Sequence, residues 1–257
     1  MSIYTNLALP KNCYIDQSIT KKVVFDSLKL KTTEKRLITS DIERITDRVM
    51  IRPDTFSCPV YRDDIRCYDE IHILELDLRI RDHIGVLEPL FLQAIPYPII
   101  LICCHAKDNQ SQYRTTAAIS RNNQHNAEKN ILESTVSTEW LAESDDFWHS
   151  LAISHLHTRD LFALYNDFYD SICLRNLRPT YPDADIARAN ARALYRAYQQ
   201  LAEQLDACTT ALRRETQFAR RLDLVAQIQQ IQNQIHALPT QYATSQNECA
   251  ESVSVRI

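Results

Sequence analysis

Gly85 is the only glycine in a chain of 257 residues. Glycine alone tolerates positive φ and close backbone approach at no steric cost. Its near absence therefore removes the glycine-rich phosphate loop, the nucleophile elbow and the dinucleotide fingerprint together. What remains is a chain long enough for one medium domain plus an extension. Its 45% hydrophobic and 24% charged residues match ordinary globular usage. The net charge of −4 argues against a globally basic nucleic-acid coat, and protein partners fit at least as well. The eight cysteines contain no CxxC pair, and no basic segment followed by an apolar run opens the chain. Reduced thiols and a cytoplasmic address are therefore expected. No stretch approaches the roughly 20 apolar residues that span a bilayer, so no membrane contact is expected.

The opening segment reads as two short helices, Ile19 to Leu28 and one entered through Thr32 and Thr33 and running to about Ile45, with Leu37, Ile38, Ile42 and Ile45 on one face. Val49 to Ile51 begins a strand that Pro53 stops. In Ile71 to Ile80 an apolar set (Leu74, Leu76, Leu78) alternates with a set carrying Glu75, Asp77 and Arg79. Gly85 to Ile95 reads as a helix ended by Pro96. Ile99 to Cys104 is continuously apolar, as a strand buried on both faces requires. Tyr113 to Ser120 and Ile131 to Val136 are further strands, separated by a polar loop around Asn122 to Asn126. From Asp145 to Leu177 the period turns helical. The fold expected is α/β, with a mixed central sheet of about five strands flanked by helices over residues 1–178.

Pro179 and Pro182 mark a hinge, after which neither glycine nor proline appears until Pro239. The intervening residues can form one helix of roughly 80 Å or a hairpin of two shorter ones. Leu194, Tyr198, Leu201, Leu205, Cys208 and Leu212 keep four-three spacing, as do Leu224, Ile228, Ile231, Ile235 and Leu238, but the two seams are out of phase. A break near Arg213 to Arg221 accommodates the offset. An apolar seam needs cover, from its own second half, a second copy or another protein. Leu194, Tyr198, Leu201, Leu205, Leu212, Ile228, Ile231 and Ile235 are therefore the candidate partner-binding residues of a coiled-coil or hairpin arm at 183–238. Residues 239–257 read as a disordered tail.

Leu9-Pro10, Ile19 with Lys21, Lys22 and Phe25, Asp41-Ile42, Pro53 with Thr55, Glu70-Ile71 with Ile73, Glu75 and Leu76, Ala94 to Pro98, and Thr138-Glu139-Trp140 occur in an order that resembles a bacterial domain-of-unknown-function family. The resemblance spans about residues 9 to 178, and Glu215, Phe218 and Arg221 look like the coiled-coil tail many members carry. Members are similar in being encoded beside DNA methyltransferases and helicases of restriction-like defence islands. The resemblance thus implies a partner role in a DNA-targeting assembly and brings no catalytic residue with it.

The residues offer one enzymatic alternative. A restriction-type nuclease places Pro-Asp ahead of a strand ending in acid-x-Lys, where carboxylates hold Mg²⁺ and the lysine supports the attacking water. Pro53-Asp54, Glu75 and Asp77-Leu78-Arg79 occupy that frame, but arginine is a poor base. The plainer account is a half-exposed strand with Glu75, Asp77 and Arg79 in cross-strand pairs. His155 and His157, two apart on a helix, would diverge by about 200° and so could not readily share an ion. Cys103 and Cys104 read as buried inert thiols, on opposite strand faces. No metal or cofactor is expected. Phosphate contact would fall to Arg213, Arg214, Arg220 and Arg221 on the arm, or to Lys21, Lys22, Lys29, Lys31, Lys35 and Arg36. The expectation is an accessory or scaffolding subunit docking a methyltransferase or helicase through its arm, with a divergent nuclease or a homodimeric structural module as alternatives.

Overall fold

The apolar run after Pro98 can shed water only if both of its faces are covered. It forms the centre of a sheet in the computed structural model, which describes residues 2–27, 30–107, 110–122 and 130–254. This strand, β6 (Ile99–Lys107), lies between β5 (Ile71–Leu78) and β7 (Gln110–Asn122). Outward from β5 follow β2 (Ile42–Ile51) and β1 (Tyr14–Ile19), and outward from β7 follow β8 (Asn130–Ser137) and the short β9 (Leu141–Ala142). All pairs are antiparallel except β5 and β6, which run parallel. Parallel neighbours need a crossover, and α3 (Ile84–Ala94) supplies it. A separate two-stranded ribbon pairs β3 (Tyr61–Arg62) with β4 (Cys67–Tyr68).

The mixed α/β architecture follows the sequence, with seven strands in the main sheet rather than five. The additions are edge elements. Strand β1 exposes Asp16, Gln17 and Ser18, which hide its strand character but suit an edge. The helix expected as far as Ile45 stops earlier: α1 (Lys21–Ser27) is followed by α2 (Thr32–Asp41), and Ile42 already belongs to β2. Ile42 and Ile45 fit a helical face by spacing alone. Pairing of β2 with strands on both sides decides against it. Nor do the threonines satisfy the start of α2, where the Glu34 carboxylate accepts the Lys31 N–H at 2.7 Å.

The apolar set of β5 behaves as its alternation predicts. Leu74, Leu76 and Leu78 pack with Ile45, Leu101 and Cys103 of the neighbouring strands and with Leu87 and Phe91 of α3. Short α4 (Phe147–Ser150) precedes α5 (Leu161–Leu177). The Tyr165 hydroxyl bonds to the main chain of Ile99 and Ala118, which ties α5 to β6 and β7. The expected loop from 122 to 126 falls, beyond Asn122, outside the described residues.

The main chain divides into two units, one ending at Ile172 and the other beginning at Cys173. In the second, α6 (Arg188–Arg214) and α7 (Phe218–Ser254) pack antiparallel: Asn190 donates to the Tyr242 carbonyl at 2.9 Å, while Cys208 lies beside Gln227. The break between Arg213 and Arg221 is the turn of this hairpin, so the single 80 Å helix does not form. Helix α7 also continues through Pro239 to Ser254, over much of the segment read as a disordered tail. Leu238 is buried against α6 and Tyr242 packs beside it, which extends the helical contact past the proline.

Candidate functional site

The polar face of β5 forms the floor of a cleft of about 960 Å³. Sheet register puts its residues in a row. Arg44 of β2 lies opposite Asp77 of β5, Asp77 beside Cys104 of β6, and Cys104 opposite Tyr113 of β7. Residues two apart share a face, so Glu75 joins this row one step along β5, and Arg48, at the β2 bulge between Asp47 and Val49, also lines the cleft. The N-terminal segment supplies the opposite wall with Ser2, Tyr4, Thr5, Ala8 and Leu9; Tyr14, Asp16, Ala106, Ser111 and Glu143 complete the lining.

Electrostatics inside the cleft is dominated by arginine–carboxylate pairs. Glu75 is buried and doubly held. Its Oε1 accepts from Arg48 Nη2 at 2.5 Å and Nε at 3.1 Å, and its Oε2 accepts from the Tyr4 hydroxyl at 2.5 Å. Arg48 reaches Asp16 at 2.9 Å with its remaining terminal nitrogen and stacks over the Tyr4 ring, 5.5 Å from the centroid. Arg44 donates to Asp77 at 2.8 Å. Burial works against the Arg48 charge, but the hydrogen bonds to Glu75 and Asp16 outweigh it and raise its pKa. Burial, then the charge of Glu75, pushes the Tyr4 phenol well above its ordinary value.

The same environment disarms the thiol. Burial, followed by the charges of Glu75 and Asp77, pushes Cys104 up to about 11, far from the depressed values of nucleophilic cysteines. Tyr113 is pushed up to about 12, by burial and then by Cys104. Four carboxylates (Asp16, Glu75, Asp77 and Glu143) face two arginines in the lining, so the cleft as a whole disfavours a phosphate backbone.

Only part of the nuclease frame converges here. Glu75 and Asp77 share the cleft, whereas Asp54 is not in its lining and pairs with Arg52 at 2.6 Å. Arg79 lies beyond the end of β5 and donates to the carbonyls of Thr39 and Ile42. Glu75 is also not half-exposed, as the plainer reading has it, because Tyr4 and Arg48 cover it. Among the described residues, no group of three or more His, Cys, Asp or Glu is placed to hold a metal ion. His155 closes a 3₁₀ turn and His157 follows it, with Nδ1 2.9 Å from Asp167, so the two do not share the helix the sequence suggested. Cys103 is buried in the core, and Cys104 faces the cleft.

On the arm, the candidate partner-binding residues cover one another. Leu194, Ile231 and Ile235 are buried with Tyr198, Leu201 and Leu205 packed against them, and Leu212 and Ile228 are half-buried nearer the turn. Of the four arginines, Arg221 turns back to the carbonyls of Leu212 and Glu215. It thereby satisfies orphan groups at the end of α6. Arg220 lies 3.9 Å from Glu215. Arg213 and Arg214 are exposed in the last turn of α6. Of the N-terminal cations, Lys21 is occupied by the carbonyls of Thr39 and Ile42, and Lys29 lies outside the described residues.

Tyr4, Asp16, Arg44, Arg48 and Tyr113 escaped the sequence reading. The alternation of Arg44, Thr46 and Arg48 was the available signal for two of them, missed because the expected helix took in Arg44 and the expected strand began only at Val49. Tyr4 carries no local signal at all.

The fold and site define a mixed α/β protein with an ion-paired cleft and a helical-hairpin region. Residues 7–235 match the model of a family described as Domain of unknown function (DUF4391), and the chain belongs to that family. No curated protein and no solved structure matches it. No helix among the described residues is long and apolar enough to cross a membrane.

Proposed function

We propose that the protein is a non-enzymatic accessory subunit of a bacterial DNA-targeting, restriction-like defence complex, and that its arm docks a larger partner of the methyltransferase or helicase kind. The observation that carries the docking role is the distribution of apolar surface on the hairpin; the DNA-targeting context rests on the family resemblance alone. Its seam is closed within the chain, yet Phe218, Leu222 and Val225 at the turn remain exposed. A self-sufficient hairpin has no use for that stripe, and exposed apolar residues in one place mark contact surfaces. The cleft supports the same reading from the other side, because its thiol is protonated and both β5 carboxylates are already paired.

The test is affinity purification of the tagged, full-length protein from its host, before and after nuclease treatment. A second protein retained in constant ratio through nuclease treatment is the expected result. Recovery of the chain alone, or of proteins lost with the nucleic acid, would remove the reading.

A divergent Mg²⁺-dependent nuclease is the second reading, favoured by one observation: Glu75 and Asp77 line the same cleft. It requires a cation to displace Arg48 and Arg44 from their partners.

A further inference from the structure

We infer that the turn end of the hairpin is a docking surface for an apolar pocket with an acidic rim on a different protein; the inference rests on the accessory-subunit reading and gives its partner a chemistry. Phe218, Leu222 and Val225 are 75%, 55% and 40% exposed. Their spacing of four and three puts them on one flank of α7. The same helix buries Ile231, Ile235 and Leu238 against α6, so the hairpin already has a complete apolar face and the stripe is additional to it. Aromatic residues are enriched in interface cores, where such an anchor draws its energy from insertion into a desolvated pocket.

Charge decides between occupants. The segment from 213 to 225 that carries the stripe is net positive, with Arg213, Arg214, Arg220 and Arg221 against Glu215 and Asp223. Hydrogen bonds from the Gln217 and Thr216 amides hold Glu215 below the usual carboxylate range, so it stays ionised without reversing the positive sum. A two-fold contact between tips would set two net-positive segments against each other, since it uses the same patch on both copies. A nucleic acid would engage the arginines and leave the stripe wet. A pocket that accepts Phe218 and offers Asp or Glu at its rim satisfies both features.

The experiment uses the full-length chain in its host, with a photoreactive benzophenone side chain in place of Phe218 and, as control, in place of exposed Gln199 on α6. The expected adduct joins one other protein, through a segment in which apolar residues are bordered by Asp or Glu. Its yield should fall at least about tenfold when Leu222→Asp is added, equivalent to the loss of one good contact. It should also fall as salt rises. An adduct with a second copy of the chain, an adduct with nucleic acid, a yield no higher than from position 199, or a yield indifferent to Leu222→Asp would each overturn the inference. If the tip gives no adduct but the unmodified chain still retains a protein through nuclease treatment, docking lies elsewhere and the accessory reading stands. If the chain also purifies alone, both fall.

Discussion

The hydroxyl of Tyr4 donates a 2.5 Å hydrogen bond to Glu75 Oε2 across 71 residues of sequence. It pins the N-terminal segment over a carboxylate that β5 presents to the cleft. Arg48 holds the other oxygen and lies over the Tyr4 ring. The three side chains form one unit in which each limits the freedom of the other two.

Tyr4→Phe removes only the hydroxyl and leaves Glu75 with Arg48. A hydrogen bond to a charged group contributes about 1.5–3 kcal/mol, and a loss in that range is expected from the shift of the urea midpoint at unchanged slope. Arg48→Ala should cost more, about 3–5 kcal/mol, because it strands a buried charge. In a double-mutant cycle the Tyr4 and Arg48 losses should not add. Additive losses would mean that the two act on Glu75 separately.

The central strands were legible because their chemistry is local. Pro98 followed by six apolar residues, and the alternation in β5, identify buried and half-buried strands before any tertiary contact is considered. The two helical seams of the arm and the offset between them were legible for the same reason, but the offset alone fits a turn and a discontinuity in one long helix equally well. The cleft was not, because it is assembled from residues that meet only in the sheet. Asp77, Arg44, Cys104 and Tyr113 lie side by side through register, and Tyr4 arrives from the chain's first turn. Glu75 and Asp77 were singled out from sequence, but their arginine partners were not.

If the paired carboxylates leave no room for a cation, millimolar Mg²⁺ or Mn²⁺ should move the melting temperature by less than about 1 °C, since only a ligand that binds the folded state raises it. Glu75→Ala and Asp77→Ala should likewise leave any DNA-cleaving activity of the purified protein unchanged. A metal-dependent rise in melting temperature that Asp77→Ala abolishes would revive the nuclease reading.

Alkaline pH should weaken the fold. Cys104 is pushed up to about 11 and Tyr113 to about 12 by burial. Both are neutral in either state near pH 7, and the unfolded chain loses its protons first as the pH rises. The contribution of these two groups should therefore be flat from about pH 6 to 8 and fall between about 9 and 12. Thermal melts across that range check the sign. Cys104→Ala should make the fall shallower, and an equally steep fall would show that this thiol is not among its causes.

Within the arm, position relative to the seam should separate two otherwise similar substitutions. Ile235 is buried between α6 and α7, and Ile235→Ala should cost about 2–5 kcal/mol. Leu222 is exposed on the flank, and Leu222→Ser should stay within about 0.5 kcal/mol. Denaturant unfolding of the full-length protein reads both. A large loss at Leu222 would mean that it supports the hairpin rather than a partner.

The single glycine makes the sharpest backbone prediction. Gly85 sits in the first turn of α3, with no atom within 4 Å of where a Cβ would stand and no positive φ. It therefore uses none of the freedom that glycine provides, while carrying its entropic cost in a helix. Gly85→Ala should stabilise the protein by about 0.4–1 kcal/mol. The left-handed conformations among the described residues fall instead on Ala8, at φ 51°, and Asp16, at φ 46°. At Ala8 the Cβ clashes in a way that costs roughly 1–2 kcal/mol. Ala8→Gly relieves that strain against a smaller loss of unfolded-state restriction, so it should also stabilise, by up to about 1 kcal/mol. Melting curves of the two single variants and the double variant test this directly. Ala8 and Gly85 lie on separate elements, so the gains should add, and a destabilised Gly85→Ala would show that this position needs the conformational freedom its backbone does not display.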